Sequence, residues 1–297
     1  MNAGEQPSDS LNDRARRASA LLRACTLCPR QCGVDRLEDE RGFCRIGARA
    51  VVASAGPHFG EESVLVGTHG SGTIFFAGCN LGCLFCQNYD ISHLAAGEEV
   101  SREELVRRML ALQALGCHNI NLVTPTHVVP QILQALALAR REGMDLPVVY
   151  NCGGYESVDT LKLLQGIVDI YMPDFKYGDD QAGKRCSGVD DYFERACQAL
   201  VEMHRQVGDL VVGPDGVARR GLLIRHLVLP GGLAGTERVM RFIAEEISPD
   251  SYVNIMAQYR PEYRAAECPE LDRRITAEEY AAAVAAAGRN GLKRLDS

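Results

Sequence analysis

The 297-residue sequence has no long apolar run. A membrane-spanning helix needs roughly 18 such residues, and the best candidate, YAAAVAAAG, is short and alanine-rich. The first 24 residues carry several arginines but no apolar core segment, which argues against a secretory signal. There is no low-complexity tract. There is also no surplus of basic residues. Lys and Arg number 32 against 39 Asp and Glu, for a net charge of −7, so electrostatics favours neither nucleic acid nor an anionic membrane as partner. The expectation is a cytoplasmic protein. A reducing compartment disfavours disulfides, so closely spaced members of the twelve cysteines are read as metal-binding or reactive.

From residue 101 a regular alternation sets in. SREELVRRMLALQALG predicts a helix with Ser101 as N-cap, Glu104 three residues on and Gly116 as its stop. NINLV, PVVYN, IVDIYM, GLLIRHLVL and SYVNIM read as strands. Helices are expected at 129–143, 157–166, 189–207 and 236–247, and TAEEYAAAVAAAG closes the chain with Thr276 and Glu279 spaced as a capping box. Such alternation means parallel βαβ units. With GTIFFA as the first strand there are six, which predicts an α/β fold, a full or partial barrel with six (β/α) repeats. Ligands then sit beyond the carboxyl ends of the strands. Residues 1–14 are expected to be loose, and 15–24 to form a short amphipathic turn. The anticipated organisation is an N-terminal extension at 1–66, the barrel at 67–265 and a C-terminal helical segment at 266–297.

The first strand runs into FFAGCNLGCLFCQNYDIS, with Cys79, Cys83 and Cys86 on one loop. Thiolates suit zinc and iron–sulfur clusters. Three of them leave one iron of a cubane cluster open for substrate or cofactor, much as catalytic zinc sites keep an open position. The competing reading is a zinc site completed by a distant His or Cys, or plain buried thiols. Cys25, Cys28, Cys32 and Cys44 lie within 20 residues, enough for a complete site of their own, either an iron–sulfur cluster or zinc. The alternative for them is simple packing. Cys117, Cys186, Cys197 and Cys268 are scattered and read as structural.

CNLGCLFCQN resembles the CxxxCxxC signature of the radical S-adenosylmethionine (SAM) superfamily. CTLCPRQCGV, GSGTIFFAGCN, CQNYDIS, TPTH, DFKYG and VLPGG extend the resemblance over residues 25–263, toward proteins related to pyruvate formate-lyase activating enzyme. The resemblance implies a TIM-like partial (β/α)6 barrel with a cysteine-rich N-terminal segment. It implies a [4Fe-4S] cluster on Cys79, Cys83 and Cys86, with S-adenosyl-L-methionine on the fourth iron. It further implies a flavodoxin- or ferredoxin-type low-potential electron donor and reductive cleavage of the cofactor to a 5′-deoxyadenosyl radical. One implied partner is a glycyl radical enzyme; a small-molecule or peptide substrate is the alternative, and a zinc-binding structural protein the non-enzyme one.

Residue by residue, the superfamily's GGE-type segment is replaced here by TPTH. Thr124 and Thr126 stand where the methionine amine would be held, and His127 is either at the site or a half-buried helix-start residue. Asn151 and Glu156 have the polarity expected near the cofactor, and Cys152 is either a hydrogen-atom donor or a core residue. Asp174 and Lys176 resemble an Asp-x-Lys of the activating enzymes, against the alternative of an exposed ion pair on the rim. Arg225 matches an arginine found there, His226 should point the other way, and Gln258 is the candidate toward adenine.

Overall fold

The computed structural model describes residues 10–296; the expectation for residues 1–9 lies outside that range. Ten strands are present among the described residues. They are β1 (Ala50–His58), β2 (Ser71–Phe76), β3 (Glu98–Val100), β4 (Ile120–Val123), β5 (Val148–Cys152), β6 (Ile170–Pro173), β7 (Val211–Val212), β8 (Ala218–Leu227), β9 (Tyr252–Met256) and β10 (Arg294–Asp296). The sheet order is β10-β9-β8-β6-β5-β4-β2-β1-β3, with β7 paired to β8, so the sheet is open rather than closed. Neighbours from β2 through β10 run parallel. The six expected strands are β2, β4, β5, β6, β8 and β9, which makes this the partial six-repeat barrel. Every residue of β5 and β6 is buried, as a parallel sheet covered by helices requires.

The short additional strands escaped the sequence pattern. β1 pairs antiparallel with β2, and β3 with β1. β10 extends the parallel sheet beside β9. The first helix spans Leu11–Ala20, capped by Ser10, so residues 11–14 are helical rather than loose. The expected 189–207 helix is Tyr192–Val207. Asp180–Ser187 forms a separate helix before it, started by the Asp179 side chain and ended by left-handed Gly188. The 236–247 helix is α-helical only over Thr236–Phe242, with a wider π turn at Ile243–Ile247. Both predicted capping boxes are present, at Ser101–Glu104 and Thr276–Glu279.

Candidate active site

The carboxyl ends of β2, β4, β5, β6, β8 and β9 surround one cavity of about 270 Å³. Cys79, Cys83 and Cys86 all line it. They reach it because the chain leaves β2 through Gly78 in a left-handed conformation, φ +79°. A Cβ on Gly78 would sit 2.5 Å from the Cys44 carbonyl oxygen, so glycine is needed there for close approach as well as for turning. The loop that follows is tied down along its length. The Leu84 amide donates to the Cys186 carbonyl at 2.8 Å, and Arg264 donates from its amide to the Leu84 carbonyl at 2.9 Å. The Asn80 side chain donates to the Tyr155 carbonyl at 2.6 Å. Phe85 is held edge-on between the rings of Tyr177 and Tyr259.

The three thiols have few partners. Cys83 Sγ accepts from Ser187 Oγ at 3.2 Å, Cys79 Sγ accepts from the Leu81 amide at 3.3 Å, and Cys86 Sγ lies 3.0 Å from Ser92 Oγ. Burial, reinforced by the neighbouring Cys83, pushes the Cys79 thiol up to about 12. Burial also raises Cys86. A metal must therefore displace protons to bind. The donor set is all thiolate, which is what an iron–sulfur cluster takes, so these residues fit that group.

A charged network faces the thiols. Asp174 Oδ2 accepts from Lys176 Nζ at 2.6 Å, and Asp174 Oδ1 accepts from Arg225 Nε at 2.8 Å. A second arm of Arg225 donates to Asn151 Oδ1 at 2.8 Å. All four residues line the cavity. Burial acts to raise Asp174, but the Arg225 guanidinium and the Lys176 ammonium override it and hold the carboxyl below its ordinary range. Burial likewise pulls Lys176 down, and Asp174 more than reverses this, leaving the ammonium above its usual value. Both partners agree: the pair is ionised. His226, on the opposite face of β8, is buried between the Phe175 carbonyl and Thr236 Oγ1, as strand alternation requires.

Two further acids join from a distant segment. Glu61 and Glu62, just past β1, stand 3.5 and 3.8 Å from Arg225 Nη1. Glu62 Oε1 also accepts from Asn254 Nδ2 at 2.9 Å, while its Oε2 is buried without a partner. Sequence reasoning missed both; GEES carries no motif, and its contact with Arg225 is made across the fold.

The remaining candidates divide. Thr124, Cys152 and Gln258 line the cavity. Thr124 holds φ +58°, a strained conformation for a β-branched residue, while its amide donates to the Asn151 carbonyl at 2.8 Å. A threonine thus makes a left-handed turn that glycine would make freely. Gln258 donates to Met256 Sδ at 3.1 Å, and its carbonyl accepts from Gln87. Thr126 and Glu156 do not reach the wall. They bond each other behind it, Thr126 Oγ1 donating to Glu156 Oε1 at 2.6 Å and Tyr150 to Oε2 at 3.0 Å. Burial raises Glu156 to about 7. His127 is also buried, with Nε2 bonded to the Ala77 carbonyl at 2.8 Å, and burial together with Arg36 lowers it to about 3. It is a neutral structural donor. Cys25, Cys28, Cys32 and Cys44 lie outside the cavity, behind the Gly78 turn. Among the described residues, no three Cys, His, Asp or Glu side chains of either set already converge on a single ion.

An open parallel α/β sheet with a three-thiol loop after its first parallel strand defines a class of enzyme. The Radical SAM superfamily model matches residues 73–220. An uncharacterized protein of Methanocaldococcus jannaschii is 36% identical over 284 residues, covering 93% of this chain and 77% of that protein. The pyruvate formate-lyase-activating enzyme of Clostridium pasteurianum is 25% identical over 223 residues, covering 70% of this chain and 88% of the enzyme. Among solved structures, a radical SAM methyltransferase from Sphaerobacter thermophilus shares the fold, with a TM-score of 0.50 at 15% identity. That match covers 75% of this chain and 65% of the methyltransferase, just under two thirds of its length. The chain belongs to the radical SAM superfamily. No helix among the described residues is long and apolar enough to cross a membrane.

Proposed function

We propose that Cys79, Cys83 and Cys86 hold three corners of a [4Fe-4S] cluster and that S-adenosylmethionine binds in the same cavity to complete the fourth. The observation that carries this is the opening of all three thiols onto one cavity shared with Asp174, Lys176 and Arg225. When bound, cluster and cofactor supply reductive cleavage to a 5′-deoxyadenosyl radical that abstracts hydrogen from a substrate. The protein's own part is positioning and exclusion. Asn151, Arg225 and the Asp174–Lys176 pair offer the fixed charges and amide that a zwitterionic cofactor needs, held by mutual hydrogen bonds so that they need not reorganise. Thr124 would offer its strained backbone to the polar end of the cofactor, and Gln258 would be the side chain for the adenine. Glu156 and Thr126 act as positioning residues: they fix the start of the segment after β5 and the turn after β4. Buried walls such as Phe76, Leu81 and Phe85 keep water from a reactive radical. Cys152, at the end of β5, is the candidate donor of a hydrogen atom back to a substrate radical.

On this reading the electron donor is of flavodoxin or ferredoxin type, and the substrate is a small molecule or peptide or the backbone of a glycyl radical enzyme. The similarity to the Clostridium pasteurianum enzyme supports the activase reading. Anaerobically reconstituted protein should absorb in the visible and convert S-adenosylmethionine to 5′-deoxyadenosine under dithionite. Cys83→Ala should lose both properties. Cofactor cleavage by that variant would mean that the loop does not hold the cluster. Deuterium transfer from candidate substrates into 5′-deoxyadenosine separates the two substrate classes.

A further inference from the structure

Directly behind the three-thiol loop, the N-terminal segment gathers four more thiols. Cys25, Cys28 and Cys32 share one knuckle. The Cys25 amide donates to the Val34 carbonyl at 3.0 Å, and the Gly33 amide donates back to the Cys25 carbonyl at 3.1 Å. Gln31 closes on the Cys28 carbonyl at 3.1 Å, in a left-handed conformation with φ +40°. A second turn, from Gly42 to Arg45, carries Cys44 and faces this knuckle. A Cβ on Gly42 would fall 2.4 Å from Cys32 Sγ, so glycine lets the two turns meet. Cys32 Sγ lies 4.0 Å from the Cys25 carbonyl oxygen.

Beside them sits Arg36, with no exposed surface. Its Nε and Nη2 donate to the Gly47 carbonyl at 3.0 and 2.8 Å, and its Nη1 donates to the His127 carbonyl at 2.7 Å and toward Cys25 Sγ at 3.9 Å. Among the described residues no carboxylate pairs with it. A fully buried guanidinium whose partners are carbonyls and a sulfur is costly, because buried cations need an opposite charge. Four thiolates around a metal supply that charge.

We propose that Cys25, Cys28, Cys32 and Cys44 bind a second metal centre through four thiolates, with Arg36 as its counter-charge. The shared chemistry is a soft tetrathiolate site, filled by one zinc ion or by an iron–sulfur cluster. Each thiol releases its proton to solvent as the sulfur–metal bond forms, and the side chains swing inward to close the site. The centre is keyed to the active-site loop. The Cys44 carbonyl packs on Gly78, and the Arg36-bound carbonyl belongs to His127, whose ring holds Ala77. Arg30, two residues after Cys28, donates to the carbonyls of Asn80 and Leu81.

The test does not depend on the first site being a cluster. Iron, acid-labile sulfide and zinc per chain are measured on anaerobically purified C79A/C83A/C86A protein. The expected result is one equivalent of zinc, or iron and sulfide in cluster amounts, lost again when Cys25, Cys28, Cys32 and Cys44 are also replaced by alanine. In the otherwise unaltered chain, Arg36→Met should weaken retention of that metal against a chelator by about 10- to 100-fold, as loss of a supporting contact does. Cys44→Ser in the unaltered chain gives a second measurement should the multiple variants fold poorly: zinc or iron should fall relative to the parent. A folded triple variant free of thiolate-bound metal would overturn the proposal, as would a Cys44→Ser protein with the parent's metal content.

Discussion

Replacing Arg225 with methionine perturbs a buried cluster of charged side chains. Three carboxylates, Asp174, Glu61 and Glu62, face two cations, Arg225 and Lys176. Side-chain exposure is 16% for Arg225, 14% for Asp174, 8% for Glu61 and 3% for Glu62, so the acids left behind are only partly solvated. The variant leaves Lys176 alone against three acids. Removing one partner of a buried ion pair costs about 3–5 kcal/mol, because the other charge is stranded. The loss must also depend on pH. Burial already raises Glu61 above its ordinary value while Arg225 pulls the other way. Without the arginine Glu61 rises further. A carboxyl raised in the folded state binds more protons there than in the unfolded chain, so its contribution falls as pH increases. In the parent, Asp174 is instead lowered, so it stabilises above the ordinary carboxylate range, and the variant forfeits that contribution. Both signs agree: the deficit is greatest above the ordinary carboxylate range and shrinks as pH falls through it. Urea unfolding followed by far-ultraviolet circular dichroism at several pH values reads it directly. Adding Glu61→Gln and Glu62→Gln should recover part of the loss, because the stranded charges are then gone. A deficit below about 1 kcal/mol, or one flat across pH, would refute the reasoning, since that is the range of exposed pairs.

Glu156 should make stability fall as pH rises from about 4.5 to about 7. Its buried value of about 7 against an ordinary 4.5 amounts to about 3 kcal/mol, present below the lower value and lost above the higher. Glu156→Gln should flatten that slope in unfolding curves; an unchanged slope would assign it to another group. Gly78→Ala should destabilise the fold by at least about 1 kcal/mol and lower iron content, because its Cβ would meet the Cys44 carbonyl at 2.5 Å and Ile46 Cγ1 at 2.7 Å. Parent-like iron and melting temperature in that variant would mean that the turn relaxes freely.

Local periodicity made the six parallel strands and both capping boxes legible, because each is written in contiguous residues. Ser101 and Glu104, or Thr276 and Glu279, signal a helix start within four positions. The same holds for Cys79, Cys83 and Cys86, which share one loop. Antiparallel β1 was not legible. Its partner on one side is β2, but on the other it is β3, about 40 residues on, and SAGPH has no alternating apolar pattern. Strand β10 is three residues long, too short to carry a period.

The less legible half of the site is built from side chains whose partners are far away in the chain. Thr126 and Glu156 had the right polarity, but each spends it on the other, behind the cavity wall. Polarity at a strand end therefore predicts neighbourhood without predicting which way a group faces. Glu61, Glu62 and Arg36 were invisible for the converse reason: nothing local marks an acid or an arginine as buried. The cost of burying a charge supplies the missing criterion. Arg225 meets it with Asp174, Glu61 and Glu62, so the protein itself balances the charge of that guanidinium. Among the described residues Arg36 pairs with no such acid, and its Nη1 lies 3.9 Å from the sulfur of Cys25, one of the cysteines grouped by their spacing. The spacing of those cysteines made a second centre conceivable; the unbalanced charge beside them is the physical reason to look for its metal.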